Sequence, residues 1–508
     1  MPRPIPDPQM SRLSEYISAW LGLHFPKTRW RDLARNIRHA AQELEIEDTG
    51  MCIERLVSGQ LNKEQEDILA GHLTIGETYF FRDQKSFETL EYHILPELIA
   101  SRRGRGQRLR IWSAGCSTGE EPYSLAILLN KLIPDIQKWQ ITILASDINS
   151  RSLGKAVRGV YSDWSFRGVP QWLRQKHFTK TADGQYELPQ SIRRMVTFSI
   201  LNLAEDSYPS LSTNTNAMDI ILCRNVLMYF EPQQQLQVIR NFKRSLLEGG
   251  WLAISACETS PAFSPCFETV MFPGAVFYRK NERGETTPAI VPLLPFVNTE
   301  VYAPSAVQPI AATKQVFPVP AAAPDMVKPA GPQSEPPAYA EALALYRQGN
   351  YEEAAYMLSG LLDRSGSGSG SQQESGKAVA LMAQAQANRG EIGLALDWVD
   401  KAIAADKLNA ELYYLRATIF QEQGEIHKAL ASLKQAIYLD HTFVMAHFSL
   451  GMLTLRNYKS GEAGRHFENA LALLETGRSE DPVPGGEGMT AARLTEIINA
   501  AKAGMVKD

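Results

Sequence analysis

Three kinds of apolar spacing divide the 508-residue chain. In SRLSEYISAWLG, TRWRDLARNIRHAAQELE and NKEQEDILAGHLTI, apolar positions recur at helical spacing, which predicts a small all-α domain over residues 1–100. Over 101–280 the pattern changes to short apolar runs alternating with helical stretches: RLRIWSAG, EEPYSLAILLNKL, ITILASD, SRSLGKAVRG, MVTFSIL, MDIILCRN, PQQQLQVIRNFKRSLL, GWLAIS and AVFYRK. That alternation predicts the α/β class, a mostly parallel Rossmann-like sheet with helices on both faces. One stretch breaks it: HFTKTADGQYELPQSIRRM, with an ADGQ turn between alternating flanks, predicts a small β insertion near 176–196. Residues 281–337 are rich in Pro, Ala and Val without periodicity, the composition of a stiff linker, and mark a domain boundary.

Beyond the linker the sequence repeats. Gly390, Glu391, Ala395, Ala402, Ile403 and Asp406 recur as Gly424, Glu425, Ala429, Ala436, Ile437 and Asp440, an offset of 34 residues throughout. This period, with small residues where paired helices approach and Gly at the turn, is the signature of an α-α tetratricopeptide solenoid. Tyr458, Ala463, Phe467 and Ala470 continue it, and GNYEEAAYMLSGLL from Gly349 precedes it. Ala354 stands seven residues too far from Ala395, and a Gly/Ser run at 365–371 accounts for the excess. The repeats therefore span 338–478, followed by a tail at 479–508. The solenoid carries no residues suited to catalysis and is expected to bind an unidentified protein or peptide.

Composition narrows the function classes. With 44% hydrophobic residues, 21% charged and a net charge of -4, the chain is ordinary for globular protein and lacks a basic field for nucleic acid. No run of eighteen apolar residues exists, and the proline-rich start lacks the apolar core of a signal peptide, so a cytoplasmic location without membrane insertion is expected. Cys52, Cys116, Cys223, Cys257 and Cys266 are scattered, with no metal-ligand spacing, so neither disulfides nor a metal site are expected.

The sharpest chemical signal is WSAGCSTGEEPYS at 112–124, a strand-to-helix glycine turn of the kind that opens a nucleotide site. Diphosphate cofactors want the positive end of a helix unneutralised, whereas this helix begins with Glu120 and Glu121. Two carboxylates there disfavour NAD and suit a cationic ligand, and S-adenosylmethionine carries a sulfonium and an ammonium. A helix-capping role for Ser117 or Thr118, with the glutamates complementing the dipole, is the structural alternative. Asp147 in LASDIN sits where an acidic side chain takes ribose hydroxyls, or else caps the next helix. Asn202 in LNL and Asn225 in CRNVLMYF place amides at two further strand ends.

TIGETYFFRD, WSAGCSTGEEPYS, SDI, LNL and CRNVLMYF, in this order after a helical leader, resemble the chemotaxis-receptor glutamate O-methyltransferases over about residues 11–280. The resemblance implies an S-adenosylmethionine-dependent fold in which Thr78, Arg82, Glu121, Asp147, Asn202, Leu203, Asn225 and Val226 contact the cofactor. It also implies that the leader helps dock the cytoplasmic domain of a methyl-accepting receptor, and that the β insertion can hold a receptor tail peptide. The ADGQ hairpin is short, which weighs against peptide dependence. The repeats resemble the tetratricopeptide-bearing, Wsp-type branch of the family. Two positions depart from its pattern: Gly76 replaces a usual asparagine, and SACETS keeps Glu258 but has Ala256 in place of a usual histidine.

A glutamate carboxylate is ionised at neutral pH and needs no general base, so positioning dominates the chemistry. Arg82 is the expected residue to orient it, because a guanidinium offers a planar fork of donors. Tyr229 is expected either to shape the transfer site or to pack the core, while Phe80 and Phe81 are expected to pack. Arg31, Arg35 and Arg38 share one helix face, suited to gripping an acidic receptor helix or to plain solvation. The competing functions are methylation of another substrate and a non-catalytic scaffold whose repeats carry the activity.

Overall fold

The computed structural model describes residues 5–104, 106–205, 207–281, 289–290, 337–365, 372–456, 460–475, 478–479, 481–486 and 489–505. Nearly all of the expected linker, most of the Gly/Ser run and Tyr458 lie outside the described residues.

The leader folds as α1 (Asp7–Leu21), α2 (Trp30–Glu43), α3 (Thr49–Val57) and α4 (Lys63–Leu73). Apolar side chains at helical spacing, among them Leu13 and Ile17 on α1 and Leu33 and Ile37 on α2, form its core. The short α3, started by the Asp48 side chain accepting from Gly50 N and Met51 N, was not expected from the sequence. Helices α5 (Gln84–Thr89) and α6 (Leu95–Arg102) lead to the sheet.

The α/β region runs β1 (Arg108–Ala114), α7 (Glu120–Leu132), β2 (Gln140–Asp147), α8 (Ser150–Arg158), β3 (Val160–Tyr161), α9 (Gln171–His177), β4 (Thr179–Lys180), β5 (Tyr186–Glu187), α10 (Gln190–Arg193) and β6 (Val196–Ile200). It continues with β7 (Met218–Leu222), α11 (Pro232–Ser245), β8 (Leu246–Ala253), β9 (Glu268–Phe272), β10 (Ala275–Arg279) and β11 (Ala289–Ile290). The large sheet has the order β11-β9-β10-β8-β7-β1-β2-β6. Its centre is parallel, and β10 pairs antiparallel with both β8 and β9. The chain builds β1, β2 and β6 outward on one side and then returns to place β7 beside β1. That reversal opens a crevice at the carboxyl ends of β1 and β7, where ligands bind in open α/β sheets. The β insertion is larger than the ADGQ hairpin: β3 joins β5 and β4 in a three-stranded sheet that begins at Val160. Phe80 is fully buried against Tyr161, Phe166 and Phe178 of this insertion, so it packs, as expected.

Among the described residues the repeats form four helix pairs: α12 (Pro337–Gln348) with α13 (Tyr351–Ser365), α14 (Gln372–Asn388) with α15 (Ile392–Ala405), α16 (Ala410–Glu422) with α17 (Ile426–Leu439), and α18 (Val444–Arg456) with α19 (Ser460–Leu474). Gly390 and Gly424 adopt φ of 79° and 76° at equivalent turns, a conformation that explains the Gly in the 34-residue period. The expected tail contains a helix, α20 (Ala491–Met505), which buries Leu494 and Ile498 in the core of the last two pairs. The turns of the first three pairs face the amino-terminal end of the sheet, with Gly349 against Arg244, Gly390 against Leu247 and Gly424 against Gln140. Among the described residues no helix is long and apolar enough to cross a membrane.

Candidate functional site

A cleft at the carboxyl ends of β1 and β7 is lined by Thr78, Arg82, Glu121, Asp147, Asn202, Leu203, Asn225, Val226 and Tyr229. All nine residues named from the sequence for cofactor contact or catalysis therefore meet in one place. The cleft encloses about 1130 Å³ of space between atoms, open solvent included.

The glycine turn after β1 is held against β2, with Gly115 N and Cys116 N both donating to Ser146 O. Gly115 has φ of 81°, and a Cβ there would stand 2.4 Å from Val226 Cγ2, so only glycine allows the β1 and β7 turns to approach this closely. Asp147 accepts from Ser117 N (2.8 Å) and Asn149 N (2.9 Å). The cap of α8 is Asn149, whose side chain accepts from Arg151 N and Ser152 N, so the capping alternative for Asp147 does not hold. Burial pushes the Asp147 carboxyl above its ordinary value, against the backbone N–H groups that favour its ionised form. The first residue before α7 is Gly119, with no side-chain cap, so Ser117 and Thr118 do not cap that helix either. Instead Ser117 Oγ donates to the Gly76 carbonyl at 3.0 Å. A Cβ at position 76 would stand 3.2 Å from the same Oγ, so the Gly76 departure lets the TIGET segment lie tight on the glycine turn.

The two glutamates that open α7 separate in role. Glu120 is buried away from the cleft, accepting from Thr118 Oγ1 and Ser165 Oγ, and burial raises its pKa. Glu121 alone faces the cleft, accepting from Ser113 Oγ at 2.7 Å and Arg224 Nη1 at 3.1 Å. Arg224, unnoticed in the sequence, has its side chain 2% exposed and also reaches Asp83 at 3.2 Å and the Arg82 carbonyl at 2.7 Å. It thereby ties the Arg82 segment to α7 and β7. Arg82 is half-buried as a residue, and its Nη1 donates to the Glu77 carbonyl.

Glu258 is the second group whose role the sequence did not reveal. Its Oε1 accepts from Val226 N (2.8 Å) and Met228 N (3.2 Å), and its Oε2 from Asn225 N (2.7 Å) and Ser255 N (3.0 Å). This carboxylate fixes the turn in which Asn225 sits at φ of 60°. Asn202 is buried, its Nδ2 donating to the Trp20 carbonyl and its Oδ1 accepting from Ala204 N.

The leader closes one wall of the cleft with His24, Phe25 and Arg29, none singled out from the sequence. His24 N donates to the Tyr229 carbonyl, and the Arg29 guanidinium lies 5.7 Å from the Tyr229 ring centre. Tyr229 is thus half-buried at the leader boundary rather than in the core. Arg31, Arg35 and Arg38 do not line the cleft; Arg31 and Arg35 are exposed on α2, and Arg35 pairs with Asp32 at 2.8 Å.

Two acidic side chains and a neighbouring guanidinium beside a glycine turn at a topological switch point define a nucleotide-cofactor site of an α/β enzyme, suited to a cofactor that carries a ribose and positive charge. Comparison with known proteins agrees: the family described as CheR methyltransferase, SAM binding domain, matches residues 76–273. Chemotaxis protein methyltransferase 2 of Vibrio cholerae is 34% identical over 227 residues, covering 45% of this chain and 77% of that protein. The chain belongs to the CheR family of chemotaxis protein methyltransferases, and S-adenosylmethionine is its methyl donor. It is also similar to the probable biofilm formation methyltransferase WspC of Pseudomonas aeruginosa, 28% identical over 89% of this chain and 96% of that protein. Among solved structures, a kinesin light chain of tetratricopeptide-like repeats from Podosopora anserina aligns with 34% of this chain and 95% of its own, at 17% identity and a TM-score of 0.26.

Proposed function

We propose that this methyltransferase esterifies glutamate side chains on the cytoplasmic domain of a methyl-accepting chemotaxis-type receptor, as an adaptation enzyme of the cytoplasm. The observation that carries the reading is Arg82, lining a cleft whose other charged walls include Glu121 and Asp147. A cation among carboxylates there gives an incoming glutamate a favourable partner.

The cofactor, when bound, supplies an electrophilic methyl group on a sulfonium. Asp147, fixed by two backbone N–H groups, is placed to accept from ribose hydroxyls, and Glu121 to face the cationic end. Thr78, Asn202, Leu203, Asn225 and Val226 complete the cofactor walls. Arg82 orients the substrate carboxylate, Arg224 holds the Arg82 segment in place, and Tyr229 with Arg29 shapes the entrance. Outside the cleft, the α2 face of Arg31, Arg35 and Arg38 offers positive charge to an acidic receptor helix. The repeats bind a further protein, a role supported by the solenoid form and by Tyr356 and Tyr438, 81% and 83% exposed on second helices of their pairs.

The test is incubation with methyl-labelled S-adenosylmethionine and membranes bearing candidate receptors, followed by mild base. Base-labile label on a receptor, lowered roughly a hundredfold by Arg82→Ala, is the expected result. Reversing Arg31, Arg35 and Arg38 to Glu is expected to raise KM for the receptor while leaving cofactor affinity unchanged. Base-stable label would move the acceptor from a carboxylate to nitrogen and overturn the proposal.

A further inference from the structure

The inner helices of the repeats meet the catalytic domain. Leu211, 6% exposed, belongs to the apolar cluster built by Ala383 and Ala387 of α14, Val399 of α15, and Leu415 and Ile419 of α16. Beside it Glu422, at the end of α16, is buried between the two modules: its Oε2 lies 3.1 Å from Arg108 Nη2, and its Oε1 accepts from Asn216 Nδ2 at 2.6 Å. A carboxylate with its side chain 3% exposed persists only because a cation and an amide meet it there.

Leu211 and Asn216 belong to one loop, between β6 and β7, and its other end is the cofactor wall. Tyr208 Oη donates to the Leu203 carbonyl at 3.0 Å, and its ring packs edge-on against Trp112. Ser210 and Thr215 close the loop on itself, Thr215 N donating to Ser210 O and Ser210 N to Thr215 Oγ1. The buried Arg110 then pins it from below, donating to Asn214 Oδ1 at 2.7 Å and Asn216 O at 3.0 Å. The described residues of the loop thus link Leu211 and Asn216 at one end to Leu203 at the other through a series of hydrogen bonds and packed rings. The start of α20 approaches the same loop from another side: Thr490 just before it, with Arg493 and Ile497 on it, borders a second cavity with Asn202, Glu205 and Thr213.

We propose that the repeats act in cis as a clamp on the β6–β7 loop, so that their docking raises the affinity of the Asn202–Leu203 wall for S-adenosylmethionine. Leu211, Asn216 and Glu422 are positioning residues in this scheme, touching neither cofactor nor substrate. Linkage makes the effect reciprocal: a protein that pulls the repeats from the loop weakens cofactor binding, and cofactor binding tightens the repeats. The inference rests on the cofactor and is independent of which carboxylates are methylated.

The experiment titrates S-adenosylhomocysteine, the demethylated cofactor, into the full-length chain by calorimetry. Leu211→Ala and Glu422→Gln are each expected to weaken binding about fivefold or more, while Leu408→Ala, on an exposed repeat surface, leaves it unchanged. Amide exchange supplies a readout that loss of stability alone does not mimic: cofactor product should slow exchange along α16 in the native chain and not in Leu211→Ala. Should Leu211→Ala fail to fold, Glu422→Gln carries both measurements. Unchanged affinity in the folded variants, or α16 exchange indifferent to the ligand, overturns the clamp.

Discussion

Glu258 shows how much of the site depends on one side chain that never has to touch a ligand. Four backbone N–H groups, from Asn225, Val226, Met228 and Ser255, converge on its two oxygens. Glu258→Gln replaces one acceptor oxygen with a donor and leaves buried N–H groups unpaired, which costs about 2 kcal/mol. The expected result is a lower denaturant midpoint together with weaker cofactor binding, since the Asn225–Val226 turn is then free to leave its strained conformation. At this scale the sequence was most readable where a residue belongs to a long motif, as with Asp147 in LASDIN or Arg82 in TIGETYFFRD. It was least readable where function comes from a partner far along the chain: Arg224 gains its meaning from Glu121, and Glu258 from Asn225, through contacts that spacing does not encode. The two glutamates opening α7 read alike in sequence. Only the fold, by burying Glu120 against Ser165, tells them apart.

Among elements, the joint between α2 and α8 has the clearest pH signature. Glu43 accepts from both terminal nitrogens of the Arg151 guanidinium and from His72, and the Arg151 bond first, then His72, holds its carboxyl at about 2 rather than 4.5. A depressed carboxyl contributes stability that is present above 4.5 and lost as pH falls through about 2. The pair is well exposed, so its contribution is modest. Arg151→Ala should accordingly melt lower than the native chain above pH 4.5, and the gap should close as the pH approaches about 2. Melting curves across that window, followed by circular dichroism, check the sign. Periodicity located most elements because α1, α2 and the central strands bury strong apolar stripes. It passed over α3, whose nine residues are too few to show a repeat, and β3, whose two residues pair only through the fold.

For the molecule as a whole, the cofactor cleft lies at the carboxyl end of the sheet and the repeats dock at the amino end. A chain cut after Lys280 would expose Leu211 and leave Arg108 without Glu422. Exposing that leucine costs about 2 kcal/mol, so the shortened chain should melt several degrees lower than the same domain in the full chain. Differential scanning calorimetry of both forms measures the difference, and Leu211→Ser should recover solubility in the shortened form. The solenoid was legible from its 34-residue period, yet nothing in that period announced where it would sit, because Arg108 and Glu422 are separated by 314 positions. The buried junction at Glu422 also bears on inheritance. Repeats borrowed from another protein would arrive without the acid that Arg108 and Asn216 require, so the two modules cannot be shuffled as interchangeable cassettes. A heritable change on either side of the junction is felt by the other, and a screen for lost methylation should recover substitutions at both ends of the sheet.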